Sequence, residues 1–229
     1  MVERKQPTVP TIADPTIADP TIAIPTITVI AGTNGAGKSS ILGEYLRQKG
    51  GEYFNPDEIA RRLRENDAAM SQVDANALAW TVGRDRLIDA IENGHDFVFE
   101  TTLGGNTIPK LLAAAASRGH RVVIWYVGLK SPEAHIRRVE ARVRRGGHPI
   151  PESKIRERFT RSLENLIALL PVLHECRVFD NTYAAELDQG EAPKPVSLLH
   201  LHDGEILESI DLQKVPDWAK PIFAAHLIE

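Results

Sequence analysis

The run Gly32-Thr33-Asn34-Gly35-Ala36-Gly37-Lys38-Ser39 has the residue types and spacing of a loop that wraps a polyphosphate. Its glycines let successive backbone N–H groups turn toward anionic oxygens, its lysine neutralises β and γ phosphates, and its serine hydroxyl is a ligand for Mg2+. The candidate nucleotide-binding set is therefore Gly32, Thr33, Asn34, Gly35, Ala36, Gly37, Lys38 and Ser39, with Ser40 directly behind it, and Ser39 is the candidate metal ligand. Lys38 is read as a solvent-facing cation. The context fits, because the β-branched run Ile27 to Ala31 precedes the loop and an amphipathic helix is expected from Ser39, its positive dipole end at the phosphates. No N-K-x-D base-reading motif and no ABC-type signature occur, which favours a kinase over a GTPase or transporter ATPase.

Acids come next. Asp57 follows a short candidate strand, Glu52 to Phe54, and would lie at the carboxyl edge of the sheet, where open α/β sheets bind ligands. A carboxylate there can take the proton from an attacking hydroxyl. It can equally well complement the dipole of its own helix and complete a capping box with Asn55, and the sequence leaves both readings open. The run Phe97 to Glu100 is an apolar strand delivering Glu100 and then Thr102 to the same edge, as candidates to hold a substrate hydroxyl or phosphate oxygen. A strand-end glutamate paired with a surface cation is the plainer alternative. Asp180 ends another apolar strand and is the rival metal-proximal acid.

From Ser131 to Arg145, helical spacing puts Ile136, Val139 and Val143 on one side and Arg138, Arg142 and Arg145 on the other. Gly146-Gly147 can hinge such a helix as a lid, and arginines closing over phosphates stabilise the charge that develops in transfer. A solvated face or an RNA contact would give a similar charge run. The following helix keeps Ile155, Phe159, Leu163, Leu166 and Leu170 for the core and lines up Arg158, Arg161 and Asn165 on one edge. His200 and His202 beside Asp203 have a spacing suited to zinc, but the sequence presents no third and fourth ligand, and a metal is not expected there.

These groups need elements to hold them. Short β-branched runs (Ile27 to Ala31, Phe97 to Glu100, Arg121 to Val127, Arg177 to Asp180) alternate with helical stretches, the pattern of βαβ units and a parallel sheet flanked by helices. The fold class is α/β, a P-loop NTPase fold with an arginine-rich lid and a small C-terminal hairpin extension. Asn55-Pro56 and Ser131-Pro132 mark helix starts, and Gly94 and Gly119 mark ends. Residues 1–26 form a proline-repeat arm (PTIAD), expected to be extended or disordered; 27–181 form the core; 182–229 extend the same domain through a hairpin at Asp203-Gly204 and a short helix after Pro216.

The chain has 229 residues, 42% hydrophobic and 25% charged, as in an ordinary globular domain. A net charge of −4 makes nucleic acid an unlikely general partner. The single cysteine, Cys176, lies in an apolar stretch and reads as a core thiol. No signal peptide or membrane span is evident, so the cytoplasm is the expected location and no membrane partner is expected.

Taken in order, AGTNGAGKSS (31–40), FNPDEIA (54–60), VFETTL (98–103), YVGLKSPE (126–133), RRGGHPIPE (144–152) and RSLENL (161–166) resemble the zeta-toxin-like kinases from Ile27 to Asn181. The resemblance implies an ATP- and Mg2+-dependent kinase acting on the 3′-hydroxyl of UDP-N-acetylglucosamine or a related nucleotide sugar. It further implies that Lys38 and Ser39 hold ATP and magnesium, that Asp57 is the base, and that Glu100 and Thr102 position the acceptor. Among the lid arginines, Arg138 and Arg145 are the first choices for catalysis, with Arg142 and Arg158 as substrate-binding residues. Thr33 stands where that family commonly has proline. An antitoxin is the partner that the resemblance brings with it, and the sequence leaves open whether this chain is toxic or has one. Another nucleotide or polynucleotide hydroxyl, or a non-catalytic NTP-binding role, are the alternatives.

Overall fold

A computed structural model describes residues 23–38, 41, 53–182 and 195–227. The repeat arm up to residue 22, the serines 39 and 40 and the helix expected behind them lie outside the described residues.

The elements are β1 (Thr26–Ala31), α1 (Pro56–Asn66), α2 (Gln72–Asn93), β2 (Phe97–Thr101), α3 (Thr107–Ser117), β3 (Arg121–Gly128), α4 (Pro132–Arg144), α5 (Glu152–Leu169), β4 (Glu175–Asp180), β5 (Val196–His202), β6 (Glu205–Ser209) and α6 (Lys220–Leu227). One six-stranded sheet runs β2-β1-β3-β4-β5-β6. The first four strands are parallel, so Ala31, Thr101, Gly128 and Asp180 all reach one edge. The β5–β6 hairpin adds to β4 antiparallel, an attachment the sequence does not announce.

The central parallel strands β1 and β3 are buried on both faces, as parallel sheets require, whereas β6 is exposed throughout. Ile27 and Val29 of β1 pack with Leu87, Phe99, Leu112, Ile124 and Leu166 on one side. Ile30 turns to the other, against Val123, Trp125, Val127, Ala36 and Ile41. Each such aliphatic side chain contributes roughly 1.5–3 kcal/mol on burial. Cys176 is buried in the first cluster, and burial pushes its thiol up to about 12.

Helix starts follow their signals. The Asn55 side chain accepts from the backbone N–H of Asp57 and of Glu58, and Ser131 accepts from that of Ala134. Gly94 ends α2 in the left-handed region at φ 68°. The expected strand Glu52 to Phe54 shrinks, among the described residues, to one bridge: Phe54 N–H donates to Val98 and the Phe54 carbonyl accepts from Glu100 N–H. That bridge still brings Asn55 and Asp57 to the sheet edge beside Glu100.

Candidate active site

At the end of β1 the chain turns through Gly32, Gly35 and Gly37, with φ of 142°, 82° and 85°, values that a side chain rarely permits. Space also demands glycine. A Cβ on Gly32 would lie 2.2 Å from the Val127 carbonyl oxygen, and one on Gly37 would lie 2.3 Å from Asn181 Nδ2.

Lys38 does not face solvent: it is buried, donates to the Gly32 carbonyl at 2.8 Å and pairs with Glu100 Oε1 at 3.5 Å. The correction has a simple cause, because the strand-end Glu100 is carried by the neighbouring parallel strand to within reach of the lysine. Glu100 Oε2 is buried and has no hydrogen-bond partner among the described residues. A glycine cradle, a lysine free to exchange a carbonyl for a phosphate and an orphaned carboxylate oxygen fit a nucleoside triphosphate with its magnesium. The Ser39 and Ser40 assignments lie outside the described residues.

α4 lies across this loop. His135 is buried, and its Nδ1–H donates to the Asn34 carbonyl at 2.9 Å. Burial, reinforced by the charges of Lys38 and Arg138, lowers its pKa to about 4, so the ring is neutral at pH 7. Arg138 Nη1 donates to the Ala36 carbonyl at 3.2 Å, and Nη2 to the Asn181 carbonyl. Asn181 closes the ring by donating from Nδ2 to Ala36 at 2.7 Å. Arg138 therefore lies along the flank of the loop, on the same side of α4 as His135 and Val139, and not on a face opposite the apolar residues. Its pKa is lowered by burial, partly offset by Asp180.

The other predicted residues surround a cavity of about 420 Å³, which Lys38, Asp57, Glu100, Thr102 and Arg158 line together. Arg158 donates to the Asn34 side chain at 2.7 Å, clamping the loop from α5. Asp57 is half exposed and stands 3.8 Å from Arg142 Nη1. Arg142 is anchored in turn on the His148 carbonyl at 3.2 Å. On the far side of Asp57 a second depression is lined by Arg61, Arg64 and Arg142 together with Glu58 and Glu65, so the acid sits between two openings, the second walled by paired charges. Arg145 is the exception: it caps α4 and is exposed, outside both. Arg161 and Asn165 hold the loop after β2, through Asn106 and through the carbonyls of Leu103 and Gly105.

Two residues missed in the sequence reach the cavity from α2, Asn76 and Trp80. The signal was available: Ala75, Ala79 and Gly83 are the small, buried positions of that helix, which turns the adjoining positions toward the cleft. Trp80 is 43% exposed, and Arg84 lies over its ring at 5.2 Å.

The sheet order and glycine loop define a P-loop NTPase fold. Residues 13–188 match the zeta toxin family, and the chain belongs to it; the match reaches into the repeat arm and beyond Asn181. An uncharacterized protein of Haemophilus influenzae is 31% identical over 128 residues, 56% of this chain and 88% of that one. Among solved structures, a chain of the AvrRxo1-ORF1:AvrRxo1-ORF2 complex crystallised with ATP superimposes with a TM-score of 0.61 at 16% identity, covering 88% of this chain. This chain spans 63% of that one's length. A chain of the PezAT chromosomal toxin–antitoxin system of Streptococcus pneumoniae gives 0.53 at 14% identity, over 89% and 84% of the two chains. Among the described residues no helix is long and apolar enough to cross a membrane.

Proposed function

We propose that this chain is an ATP-dependent kinase that phosphorylates a hydroxyl of a small anionic acceptor, the 3′-hydroxyl of UDP-N-acetylglucosamine or a related nucleotide sugar. The observation that carries the proposal is the one cavity that Lys38, Asp57, Glu100 and Arg158 line together. A triphosphate held by the glycine loop presents its γ-phosphoryl group near Lys38, while an acceptor entering from the Asp57 side brings its hydroxyl to a carboxylate. Asp57 takes the hydroxyl proton as the oxygen bonds to γ-phosphorus, and the bond from γ-phosphorus to the β-bridging oxygen breaks to release ADP. Arg142 holds the Asp57 carboxylate toward the acceptor, and Glu100 and Thr102 grip further hydroxyls. Arg158 and Arg138 fix the loop, so the donor is oriented before attack, a positional contribution worth several kcal/mol in such sites. Ser39 is the residue that would hold Mg2+, which would supply charge neutralisation at the transferred phosphates. Thr33 in place of proline leaves the backbone donors of the cradle in use.

Trp80 offers a face on which a base can stack, which favours a nucleotide sugar over a neutral sugar. ATP in the AvrRxo1 complex and the antitoxin of the PezAT system support ATP as donor and an antitoxin as partner here. The test is mass-spectrometric detection of phosphate transfer from ATP across nucleotide sugars, free nucleotides and oligonucleotides with free 5′-hydroxyls. Transfer to a nucleotide sugar is expected. Transfer confined to oligonucleotide ends would overturn the acceptor assignment, and no transfer by a folded, ATP-binding chain would overturn the kinase reading.

A further inference from the structure

At the sheet edge opposite the glycine loop, His174 precedes β4, and His202 and Asp203 close β5. His202 and Asp203 drew notice in the sequence, but the third ligand comes from 29 residues away. His174 Nδ1 lies 2.7 Å from Asp203 Oδ1, and His202 Nδ1 lies 3.4 Å from Asp203 Oδ2. The two rings meet at an angle of 62° with centroids 4.5 Å apart. His200, the other histidine of the original pair, is not part of this group and turns to Glu175 at 3.3 Å.

The backbone fixes this arrangement before any ligand arrives. Asp203 and Gly204 form a two-residue turn with φ of 48° and 78°, the double left-handed conformation for which Asp-Gly is favoured. Asp203 N–H donates to the His174 carbonyl at 2.9 Å, tying the turn to the start of β4. The turn thus aims the carboxylate at both imidazoles, with its two oxygens divided between them.

We propose that His174, His202 and Asp203 form a binding site for a late first-row divalent cation, Zn2+ in the first instance, separate from the phosphate site. Ligand atoms on a tetrahedron with bonds of about 2.05 Å stand roughly 3.3 Å apart; the His202–Asp203 separation of 3.4 Å matches this, and the His174–Asp203 hydrogen bond of 2.7 Å lengthens to admit the ion. Two imidazoles and one carboxylate suit Zn2+ and disfavour Mg2+ or Ca2+, which take oxygen ligands. All three candidate ligand atoms lie within 4.8 Å of one another. The fourth position falls to water, since His202 and Asp203 are partly open to solvent. A cation here staples the start of β4 to the hairpin turn, and so holds the antiparallel extension on the parallel core.

Calorimetric titration of the untagged full chain with ZnCl2 tests this. One equivalent is expected to bind, with affinity at least about tenfold weaker in His174→Ala, His202→Ala and Asp203→Asn, and unchanged in the neighbouring His200→Ala. Because His174→Ala can disturb the start of β4, Asp203→Asn at the exposed turn is the deciding variant, with Co2+ as a second probe: d–d absorption of a four-coordinate site should appear with the parent chain and vanish with Asp203→Asn. Failure of the parent chain to bind Zn2+, undiminished binding by Asp203→Asn, or equal loss in His200→Ala would overturn the proposal.

Discussion

Lys38, at the end of the glycine loop that follows β1, and Glu100, near the end of the adjacent parallel strand β2, stand 3.5 Å apart, both largely buried, so the lysine is held by an acid. Removing one member of such a pair leaves the other without its counter-charge in a poorly hydrated site. Lys38→Ala should therefore abolish ATP turnover and also lower stability by about 1–3 kcal/mol, whereas Lys38→Ala combined with Glu100→Gln should regain part of that stability without regaining turnover. Denaturant midpoints and ATP hydrolysis on the two variants check this; a single variant as stable as the parent would refute the pairing.

His135 makes the fold sensitive to acid. Its pKa is about 4 in the folded chain, below the usual 6.5, so the unfolded chain binds more protons between these values. The stabilising contribution of the neutral ring is complete above pH 6.5 and is lost as pH falls toward 4, amounting to at most about 3 kcal/mol. His135→Asn keeps a donor near the position of Nδ1 for the Asn34 carbonyl but cannot titrate. Its stability should fall less steeply than the parent's across this window, and parallel stability–pH profiles would dismiss the assignment.

How much of this was readable beforehand depends on whether the determinant was local. The strand leading into the Lys38 loop and the strands carrying Glu100 and Asp180 announced themselves by β-branched runs, and Asn55 and Ser131 by the prolines after them, because turn chemistry and period are local properties. Arg138 was placed on the side of α4 away from Val139 because the arginines were grouped into one lid face opposite the apolar residues. At positions i, i+3 and i+4, His135, Arg138 and Val139 share one stripe, and that stripe covers the glycine loop. The pairing of β5 with β4, and with it the meeting of His174 and Asp203, depends on long-range register that no local pattern encodes.

Trp80 is 43% exposed at the cavity while the helix is anchored in the core by other residues, Leu87 and Ile91 among them, so its removal should spare the fold and weaken only the acceptor. If a base stacks on it, Trp80→Ala should raise the acceptor KM by roughly five- to 150-fold, the equivalent of about 1–3 kcal/mol, with the ATP KM within a few-fold. Equal effects on both KM values would show that Trp80 supports the cleft and contacts no base.

Asp57 is the proposed base, and one substitution distinguishes that role from complementing the helix dipole. The cap of α1 is Asn55, whose side chain accepts from the backbone N–H of Asp57 at 2.9 Å and of Glu58 at 3.4 Å, so the Asp57 carboxylate is not needed for that duty. It lies 3.8 Å from Arg142 on the side of the second depression, while Asp57 also lines the cavity with Lys38 and Glu100. Asp57→Asn keeps the shape and removes the group that accepts a proton. Single-turnover transfer to the acceptor should fall by roughly 10²- to 10⁴-fold while ATP affinity stays within a few-fold. The stability change should stay below about 1 kcal/mol, since the helix dipole and an exposed pair with Arg142 are each worth little. A variant that transfers phosphate normally but unfolds at lower denaturant would return Asp57 to a structural role and leave Glu100 as the remaining acid for the base.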